Sequence, residues 1–404
     1  MNRHLSLLFS GLAIFGLMVS LSACEEDDPD DQQPAADPLT LDCDYQGLDK
    51  LVHPDSVLTL TDRGSGVDYI INCRADVEGH MIVEPGVTIQ FGSGGAINVY
   101  GSMEAVGTSD NPVVFTGEDQ VRGSWGYIAF DSDDVLNKMQ HCIVEYGGGF
   151  EFSSNGDRGN VIILGGARAS IDDCTLRHSE SYGLRIPSHS AEVPSLSTNT
   201  MTMNDIPAFI PANHVAAIDG GSYSGNDDDA VVVSTGGFGN SATISSDVSW
   251  QAIDVPYRPE KYIRVTSGVL TLEPGLSMTF ANGTAIEVGD SDDAGLVCVG
   301  TASDSIRLTG DTPAPGAWDG IIFNFTANPL NEVGYTVIQH AASTDAEGAI
   351  YTWAAARLNV HDVSFRDLLT CAIYTAPNTS SPNPNLTEAN NATANVAGGY
   401  LCGD

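Results

Sequence analysis

The sequence has very little positive charge. Only three of its 404 residues are lysine (Lys50, Lys138 and Lys261), and 16 lysines and arginines stand against 53 aspartates and glutamates, so the formal net charge is −37. A surface this acidic repels nucleic acids and acidic polysaccharides unless a cation bridges the charges. We therefore expect no nucleic-acid partner. No cofactor is expected to be required, and Ca²⁺ is a possible ligand because divalent cations bind clustered carboxylates.

Other familiar features are missing as well. After residue 23 no apolar run is long enough to cross a membrane, and no long stretch has the apolar spacing of a helix. No pair of cysteines or histidines has the spacing of a zinc site. These absences argue against a membrane-spanning helix, an all-α fold and a zinc enzyme.

The first 23 residues predict a secretory signal peptide. A short basic start with Arg3 leads into an apolar run from Leu5 to Leu21, and small residues precede Cys24. The Leu-Ser-Ala-Cys ending resembles the bacterial lipobox, which implies cleavage before Cys24 and acylation of its sulfur and amine. An ordinary cleaved signal with an incidental cysteine is the alternative.

Residues 24–45 predict a lipid-anchored acidic tether that ends in an N-terminal cap. The segment begins with a dense run of glutamate and aspartate and has few apolar side chains to bury. An acidic cluster directly after the lipidated cysteine resembles the surface-export signal of Bacteroidota lipoproteins. This implies an anchor in the outer membrane and a body that faces the cell exterior, whereas a spacer on a periplasm-facing lipoprotein is the alternative.

The remainder of the sequence repeats itself in order and at a near-constant offset, which indicates an internal duplication. The matching segments are 82–91 with 271–280, 107–117 with 300–310, 125–130 with 318–323, and 168–177 with 357–366.

Within each half the pattern is that of short strands. Runs rich in valine, isoleucine, threonine and aromatic residues alternate with turn residues, and equivalent strands recur roughly every 30 residues, as in one coil of a solenoid. We predict an all-β protein with a single right-handed parallel β-helix and an internal duplication. Its parts are a first half over 46–187, connecting coils over 188–254, a second half over 255–376 and a C-terminal cap or tail over 377–404.

Several motifs resemble those of a known family. Glu84-Pro85-Gly86 with its repeat Glu273-Pro274-Gly275, Trp125–Phe130, and Ile143–Gly148 look like right-handed parallel β-helix repeat proteins with the pectin-lyase-like fold. The resemblance implies the architecture and says little about function, because one fold hosts many functions. A β-sandwich or a propeller is the structural rival, but the turn lengths vary and no blade signature is present.

Enzymes of this fold provide a test for catalysis. Its polysaccharide lyases pair calcium-binding carboxylates with an arginine or lysine base, and its polygalacturonases use clustered aspartates with His-Gly and Arg-x-Lys elements. The present sequence has neither element, and its lone pair Asp172-Asp173 is matched in the second half by His361-Asp362, which favours a role in a turn. We therefore identify no catalytic residue.

These observations favour a non-catalytic outer-membrane surface lipoprotein that presents a rigid β-helix for binding or adhesion to a glycan, a neighbouring cell or an outer-membrane protein. A cation-dependent polysaccharide lyase or hydrolase is the first alternative, and an accessory subunit of an outer-membrane complex is the second. A groove with an arginine beside converging carboxylates would favour the enzyme. A flat apolar or aromatic flank would favour binding.

An acidic insertion in the second half is the candidate metal site. Asp290, Asp292 and Asp293 lie in a turn that the first half lacks, followed by Gly295. Oxygen ligands at alternate positions resemble a calcium loop, although the fifth position is alanine and no acid stands at the twelfth. The alternative is a solvated turn.

Tyr351 and Trp353 are the candidate ligand-binding residues. They alternate along one strand, so an outward face would make them a platform for sugar rings and an inward face would make them core. The sequence favours the core interpretation. Trp125 and Trp318 occupy equivalent positions and are expected to pack at corners of the coil.

The cysteines suit an exported protein. Cys43 with Cys73 is a candidate disulfide of the N-terminal cap, and Cys371 with Cys402 is a candidate disulfide of the C-terminal tail. We expect Cys142, Cys174 and Cys298 to be buried thiols.

Overall fold

The computed structural model of the protein describes residues 37–43, 50–64, 66–237, 239, 241–344, 346–353, 355–376 and 383–403. The predicted signal peptide, Cys24 and most of the acidic tether lie outside these residues.

The described chain is a right-handed parallel β-solenoid of about 13 turns, which confirms the predicted fold class. The strands up to the middle of the chain are β1 (Leu39–Thr40), β2 (Lys50–Val52), β3 (Val57–Leu60), β4 (Tyr69–Ile71), β5 (Arg74–Val77), β6 (His80–Val83), β7 (Thr88–Phe91), β8 (Ala96–Val99), β9 (Ser102–Val106), β10 (Val113–Gly117), β11 (Ile128–Phe130), β12 (Lys138–Gln140), β13 (Cys142–Glu145), β14 (Gly159–Ile163), β15 (Ser170–Asp172), β16 (Thr175–Arg177), β17 (Tyr182–Arg185), β18 (Leu196–Ser197), β19 (Thr200–Thr202) and β20 (Ile206–Pro211).

A short 3₁₀ helix, Ala212–Ala217, follows β20. The later strands are β21 (Ile218–Asp219), β22 (Val231–Ser234), β23 (Ser241–Ile244), β24 (Val248–Trp250), β25 (Tyr257–Pro259), β26 (Tyr262–Val265), β27 (Val269–Leu272), β28 (Ser277–Phe280), β29 (Ala285–Gly289), β30 (Gly295–Val299), β31 (Ile306–Gly310), β32 (Gly320–Asn324), β33 (Glu332–Gly334), β34 (Thr336–Gln339), β35 (Gly348–Trp353), β36 (Leu358–His361), β37 (Ser364–Leu368), β38 (Cys371–Thr375), β39 (Leu386–Ala389), β40 (Ala392–Val396) and β41 (Leu401–Cys402). No helix in the described ranges is long and apolar enough to cross a membrane.

Stacked strands form long sheets that run along the solenoid, and one of them continues from the first half into the second. We number the sheets by their strands: sheet I is β1-β4-β7-β10-β13-β16-β19, sheet II is the 14-stranded sheet β2-β5-β8-β11-β14-β17-β20-β22-β25-β28-β31-β34-β37-β40, sheet III is β3-β6-β9-β12-β15, sheet IV is β23-β26-β29-β32-β35-β38-β41, and sheet V is β24-β27-β30-β33-β36-β39.

The two halves of the duplication are displaced by one strand position around the coil. Strands β7 and β10 lie in sheet I, but the strands that repeat their sequences, β28 and β31, lie in sheet II. The displacement develops between β20 and β25, where the 3₁₀ helix precedes the first strand of sheet IV. Equivalent segments of the two halves therefore belong to different faces of the solenoid.

The core follows from the alternation of side chains along each strand. Ile89, Phe115, Val144 and Leu176 stack as register partners in sheet I, and all four side chains are fully buried. Outward-facing neighbours pair across coils: the Arg177 guanidinium lies 2.6 Å from the Glu145 carboxylate. Both arrangements confirm what the strand periodicity predicts.

Buried asparagines support the turns between strands. The Asn199 side chain accepts the Cys174 N–H at 3.0 Å and donates to the Ile171 carbonyl at 2.6 Å. Asn204 does the same on the other side of β19, accepting the Ser179 N–H at 2.9 Å and donating to the Leu176 carbonyl at 3.0 Å. These amides satisfy backbone groups that no strand partner reaches, which makes a buried turn tolerable.

The two predicted tryptophan corners have the same geometry, although they lie on different faces. The ring of Trp125 stacks on Phe91 at 4.1 Å, and the ring of Trp318 stacks on Phe280 at 4.1 Å. Each indole N–H donates to a backbone carbonyl of the next coil, at 2.8 Å for Trp125 and 2.9 Å for Trp318. The interpretation as corner packing is confirmed.

The cysteines divide into one disulfide and several thiols. Cys43 and Cys73 are bonded, and Cys142, Cys174 and Cys298 are buried free thiols, as expected. The other candidate pair, Cys371 and Cys402, is not joined by a disulfide. The Cys371 thiol donates to the Glu347 carbonyl at 3.1 Å, and the Cys402 thiol donates to the Gly398 carbonyl at 3.3 Å.

The last described coil places polar residues in two of the apolar inner rows, while Leu386 and Val396 still pack on the core. Glu388 continues the row of Val360, and Thr393 continues the row of Phe365, which are both fully buried in the preceding coil. Tyr400 packs on this end of the core, and its hydroxyl lies 2.6 Å from the Glu388 carboxylate. Burial and this hydrogen bond raise the pKa of Tyr400 to about 12. The coil thus terminates the apolar core with a polar cap.

Candidate functional site

Four aromatic side chains lie together on the outer face of sheet IV, and we call them the aromatic strip: Phe325, Tyr351, Trp353 and Tyr374. Along β35 the side chains of Ile350 and Thr352 are buried, so alternation turns Tyr351 and Trp353 outward, where both are partly exposed. The expectation that these two residues belong to the core is therefore wrong. The sequence could not show which of the two alternating sets of side chains on the strand faces inward.

The rings of the strip share one orientation. Tyr351 and Tyr374 are register partners on β35 and β38, with ring centroids 5.3 Å apart and planes inclined by 13°. Tyr351 and Trp353 lie 6.3 Å apart with planes inclined by 12°. Phe325 meets Trp353 edge to face at 6.4 Å. The strip therefore extends both along a strand and across successive coils.

Phe325 is the most exposed residue of the aromatic strip, at 57%. It lies at the turn that follows β32, and its backbone has a left-handed φ of 54°. The same conformation recurs at turns of this solenoid, for example at Asp290, which follows the register partner of Asn324 in the preceding coil. The turn therefore belongs to the fold, and what distinguishes Phe325 is an exposed ring beside Trp353.

Sequence reasoning missed Phe325 and Tyr374. Tyr374 could have been found, because it lies one coil after Tyr351 and carries the same ring type. Phe325 follows directly after β32 in a turn, where periodicity makes no prediction about direction.

The outer row of sheet IV continues from the strip into charged and amide side chains. In register order it runs from Thr243 through Arg264, Glu287 and Ile322 to Tyr351. Next to this row, the Asn324 side chain donates to Glu287 at 3.5 Å, and Arg264 contacts Asp290 at 2.8 Å. The structure therefore brings the predicted acidic turn and the predicted aromatic pair onto one face.

The three aspartates of the acidic turn do not converge on one point. Asp290 pairs with Arg264, and an Asp292 oxygen accepts the Ala327 N–H at 3.2 Å. The backbone carbonyl of Asp293 accepts from the Asn328 side chain at 2.8 Å. Within the described ranges no group of three or more metal-ligating side chains is present. Arg264 offsets part of the repulsion behind the calcium prediction, which stays a prediction.

Asp172 and Asp173 serve the turn in which they lie. An Asp172 oxygen accepts from the Ser195 hydroxyl at 2.5 Å and the Ser197 N–H at 2.9 Å. An Asp173 oxygen accepts from the Thr198 hydroxyl at 2.5 Å, and this bond contributes to a lowered pKa of that carboxyl. These bonds fit the role in a turn that the sequence favours.

A second feature is a groove of about 740 Å³ on the outer side of sheet II near the middle of the solenoid. Arg185 and Phe209, which are register partners on β17 and β20, are among the residues that line it. The Arg185 guanidinium stands 4.2 Å from the centre of the Phe209 ring, and its Nε donates to Asp157 at 2.9 Å. We call this feature the central groove.

Carboxylates surround the single arginine of the central groove. Besides Asp157, the lining includes Asp131 and Glu260. Burial raises the pKa of Glu260, although the nearby Arg185 charge acts in the opposite direction, and burial also raises the pKa of Asp131. Sequence reasoning missed this groove because its residues come from separate coils and form no local motif.

No protein-family model, no curated protein and no solved structure matches this chain.

Proposed function

We propose that this protein is a non-catalytic, lipid-anchored surface protein of the bacterial outer membrane that binds a glycan through the aromatic strip. The observation that carries the proposal is the outward position of Tyr351 and Trp353, with the exposed Phe325 beside them. Aromatic rings give apolar contact to the flat faces of sugars, and a solvent-exposed cluster of them has no role in the core.

The polar surroundings of the strip support the same class of ligand. Glu287, Asn324 and Arg264 lie on the same face and offer carboxylate, amide and guanidinium groups to sugar hydroxyls. Because the chain carries a formal charge of −37, an uncharged glycan avoids the repulsion that an anionic one would meet.

The test is the loss of binding when rings are removed. Replacing Tyr351 or Trp353 by alanine should lower the affinity for a bound neutral glycan about fivefold each, because one ring contact contributes on the order of 1 kcal/mol. A glycan array would first identify neutral glycans that bind, and calorimetry would then measure their affinities. Val135→Ala, at a side chain that is 76% exposed elsewhere, is the control and should change nothing. Unchanged affinity in both ring variants would refute the strip as the site.

The proposed location depends on Cys24 and has a separate test. Replacing Cys24 by serine should release the protein from the outer membrane or leave its signal uncleaved, because acyl chains are its proposed anchor. Membrane fractionation measures the first effect, and protease added to intact cells measures exposure of the body. Retention of the serine variant at the outer membrane would contradict the anchor.

A polysaccharide-cleaving enzyme is the second candidate, and the central groove favours it. Arg185 lies beside Asp157 and near Glu260, and an arginine beside converging carboxylates is the arrangement expected of such an enzyme. If the groove is catalytic, the protein should release new sugar chain ends from a polysaccharide. Arg185→Ala and Glu260→Gln should each abolish this release. Trp353→Ala should leave the rate of cleavage of short substrates unchanged. If the wild-type protein releases no chain ends from the polysaccharides that it binds, binding is the function.

A further inference from the structure

A long loop lies on the outer face of sheet II. Residues 146–158 join β13 to β14, whereas residues 340–347 join the equivalent strands β34 and β35 of the second half. The first loop is five residues longer than the second. Because the shorter loop closes the same part of the coil, the fold does not require the additional residues. We call residues 150–156 of the longer loop the flap.

The flap covers the side chain of Tyr127. Ile128 is buried in the inner row with its register partner Ile97, so alternation directs the preceding Tyr127 outward. The rings of Phe150 and Phe152 meet the Tyr127 ring edge to face, each at 5.6 Å. Tyr127 is fully buried although it points outward, and the two flap rings account for this.

Few contacts hold the flap to the sheet. Among the described residues, its backbone-to-backbone hydrogen bonds stay within the loop, as between the Phe152 N–H and the Asp157 carbonyl at 2.9 Å. Arg74 ties it to β5, because its guanidinium donates to the Glu151 carbonyl at 3.3 Å and lies 4.9 Å from the centre of the Phe150 ring. A segment without backbone bonds to the strands beneath it opens locally at low cost.

Three side-chain atoms beside the flap are buried and have no hydrogen-bond partner in the described part of the chain. They are the hydroxyl of Tyr127, the Oδ1 of Asn98 and the Nε of Arg158. Asn98 pairs in register with Ala129, which lies two residues after Tyr127 and points to the same side. Buried polar groups without a partner are rare, so three of them together indicate that a ligand supplies the missing bonds.

A cavity of about 420 Å³ borders the flap and provides the entry. Arg158 lines it together with Arg74 and the rings of Phe150 and Phe152. Tyr127 does not line it, and the same two rings cover the Tyr127 side chain. Outward movement of the flap would therefore join the cavity to the Tyr127 hydroxyl.

The three unpaired atoms need both donors and acceptors from a ligand. The Arg158 Nε–H only donates, whereas the Asn98 Oδ1 only accepts, because the amide nitrogen of Asn98 already donates to Asp76 at 2.7 Å. A carboxylate or phosphate cannot donate to Asn98, and a metal cation cannot accept from Arg158. A hydroxyl group does both, and the flap rings suit the apolar face of a sugar.

We propose that Tyr127, Asn98 and Arg158 form a second binding site, for a single neutral sugar unit, and that the flap opens to admit it. This site is separate from the aromatic strip, because it lies on sheet II and the strip lies on sheet IV. The bound sugar supplies the bonds that the three atoms lack in the free protein.

The first experiment removes the unpaired hydroxyl. Methyl glycosides of glucose, galactose, mannose and xylose would be titrated against the whole protein by calorimetry. Tyr127→Phe should weaken the sugar that binds about fivefold, because one hydrogen bond is lost. No binding by any of the sugars would overturn the proposal, and water would then satisfy the buried atoms. Binding that Trp353→Ala weakens and Tyr127→Phe does not would place the sugar at the strip, overturn this inference and leave the proposed function intact.

Tyr257→Phe is the matched control for stability. Tyr257 is as buried as Tyr127, but its hydroxyl donates to the Gln251 carbonyl at 3.0 Å. Its loss should lower the melting temperature, whereas Tyr127→Phe should leave it unchanged or raise it, because that hydroxyl has no partner to lose. Equal losses in the two variants would show that the Tyr127 hydroxyl is already bonded in the free protein and would overturn the proposal.

Amide hydrogen exchange tests the flap. The amides of residues 150–156 should exchange faster than those of β11 in the free protein and slow down when the sugar is bound. A Cβ atom at Gly126 would lie 2.4 Å from the Phe150 ring, so Gly126→Ala should push the ring away and speed exchange in the flap alone. Slow flap exchange in both proteins, or no slowing at saturating sugar, would overturn an opening flap.

Discussion

Replacing Trp125 by alanine is expected to lower the free energy of unfolding by about 3–5 kcal/mol, which is the usual cost of removing a large buried aromatic side chain. The Trp125 ring is fully buried and stacks on Phe91 at 4.1 Å. Its removal also leaves the Glu145 carbonyl without the 2.8 Å hydrogen bond from the indole. A cavity and an unsatisfied polar group act together at one corner of the coil.

The duplication supplies a matched partner for this experiment. Trp318→Ala removes the same stacking and an equivalent 2.9 Å hydrogen bond in the second half, so its cost should fall in the same range. In a solenoid each coil contacts mainly its neighbours, so each substitution should loosen its own half first. Denaturant titration gives the size of the effect, and amide hydrogen exchange shows which coils lose protection.

Trp353 is the control because it is a tryptophan of the same chain on the outer face. Trp353→Ala should change stability by less than about 1 kcal/mol, since it removes a partly exposed ring and creates no cavity. A loss of stability at Trp353 as large as at Trp125 would mean that the aromatic strip is structural. That outcome would also weaken its proposed role in glycan binding.

Periodicity explains why the architecture could be predicted. The repeat of Trp125 by Trp318 and the coil-length spacing of Val144 and Leu176 depend on patterns that survive in any parallel solenoid. Inner rows follow from alternation, because a one-residue shift would expose the whole apolar set. The outer pair of Glu145 and Arg177 follows from the same alternation.

Features that depend on how coils are joined were beyond the sequence. The displacement of the second half by one strand position arises in the connecting coils, where the 3₁₀ helix Ala212–Ala217 leads into the region of sheet IV. This displacement decides which equivalent segments share a face. It places the strand before Asp290 and the strand of Tyr351 in sheet IV, whereas their first-half equivalents, β8 and β14, lie in sheet II.

The central groove shows the same limit for sites. Arg185 comes from one coil, Asp157 from the preceding loop and Glu260 from a coil beyond the connecting region, so no local spacing links them. The expected inward direction of Tyr351 and Trp353 was wrong, and it was expected because aromatic residues on a strand are more often core than surface. Only the burial of Ile350 and Thr352 in the structure shows that their neighbours Tyr351 and Trp353 face outward.

Replacing the polar inner residues of the C-terminal cap by apolar ones is expected to make the protein associate with itself. The coil that contains Glu388 and Thr393 has a strand partner on one side only among the described residues, so its other edge presents unpaired backbone groups. Replacing Glu388 by leucine and Thr393 by valine would continue the apolar rows of Val360 and Phe365 to this edge. It would also remove the carboxylate that binds the Tyr400 hydroxyl at 2.6 Å.

An apolar, unpaired edge is a template for pairing with a second copy, and the natural polar residues prevent this. Two identical ends can meet around a two-fold axis, so the expected product is a dimer whose fraction rises with protein concentration. Light scattering coupled to size-exclusion chromatography measures the mass directly. The wild-type protein should stay monomeric over the same concentration range.

The same coil provides a control of equal chemistry. Thr387→Val with Ala389→Leu adds comparable apolar groups to the outer row, where the two residues pair with Asn359 and His361. These side chains do not continue the core, so the control should not dimerise although its apolar surface grows by a similar amount. If the control dimerises as strongly as the inner-row variant, the association is caused by non-specific contact between apolar surfaces. If neither dimerises, the edge is protected by backbone geometry, and the inner-row polar residues serve only the hydrogen bonds of Tyr400.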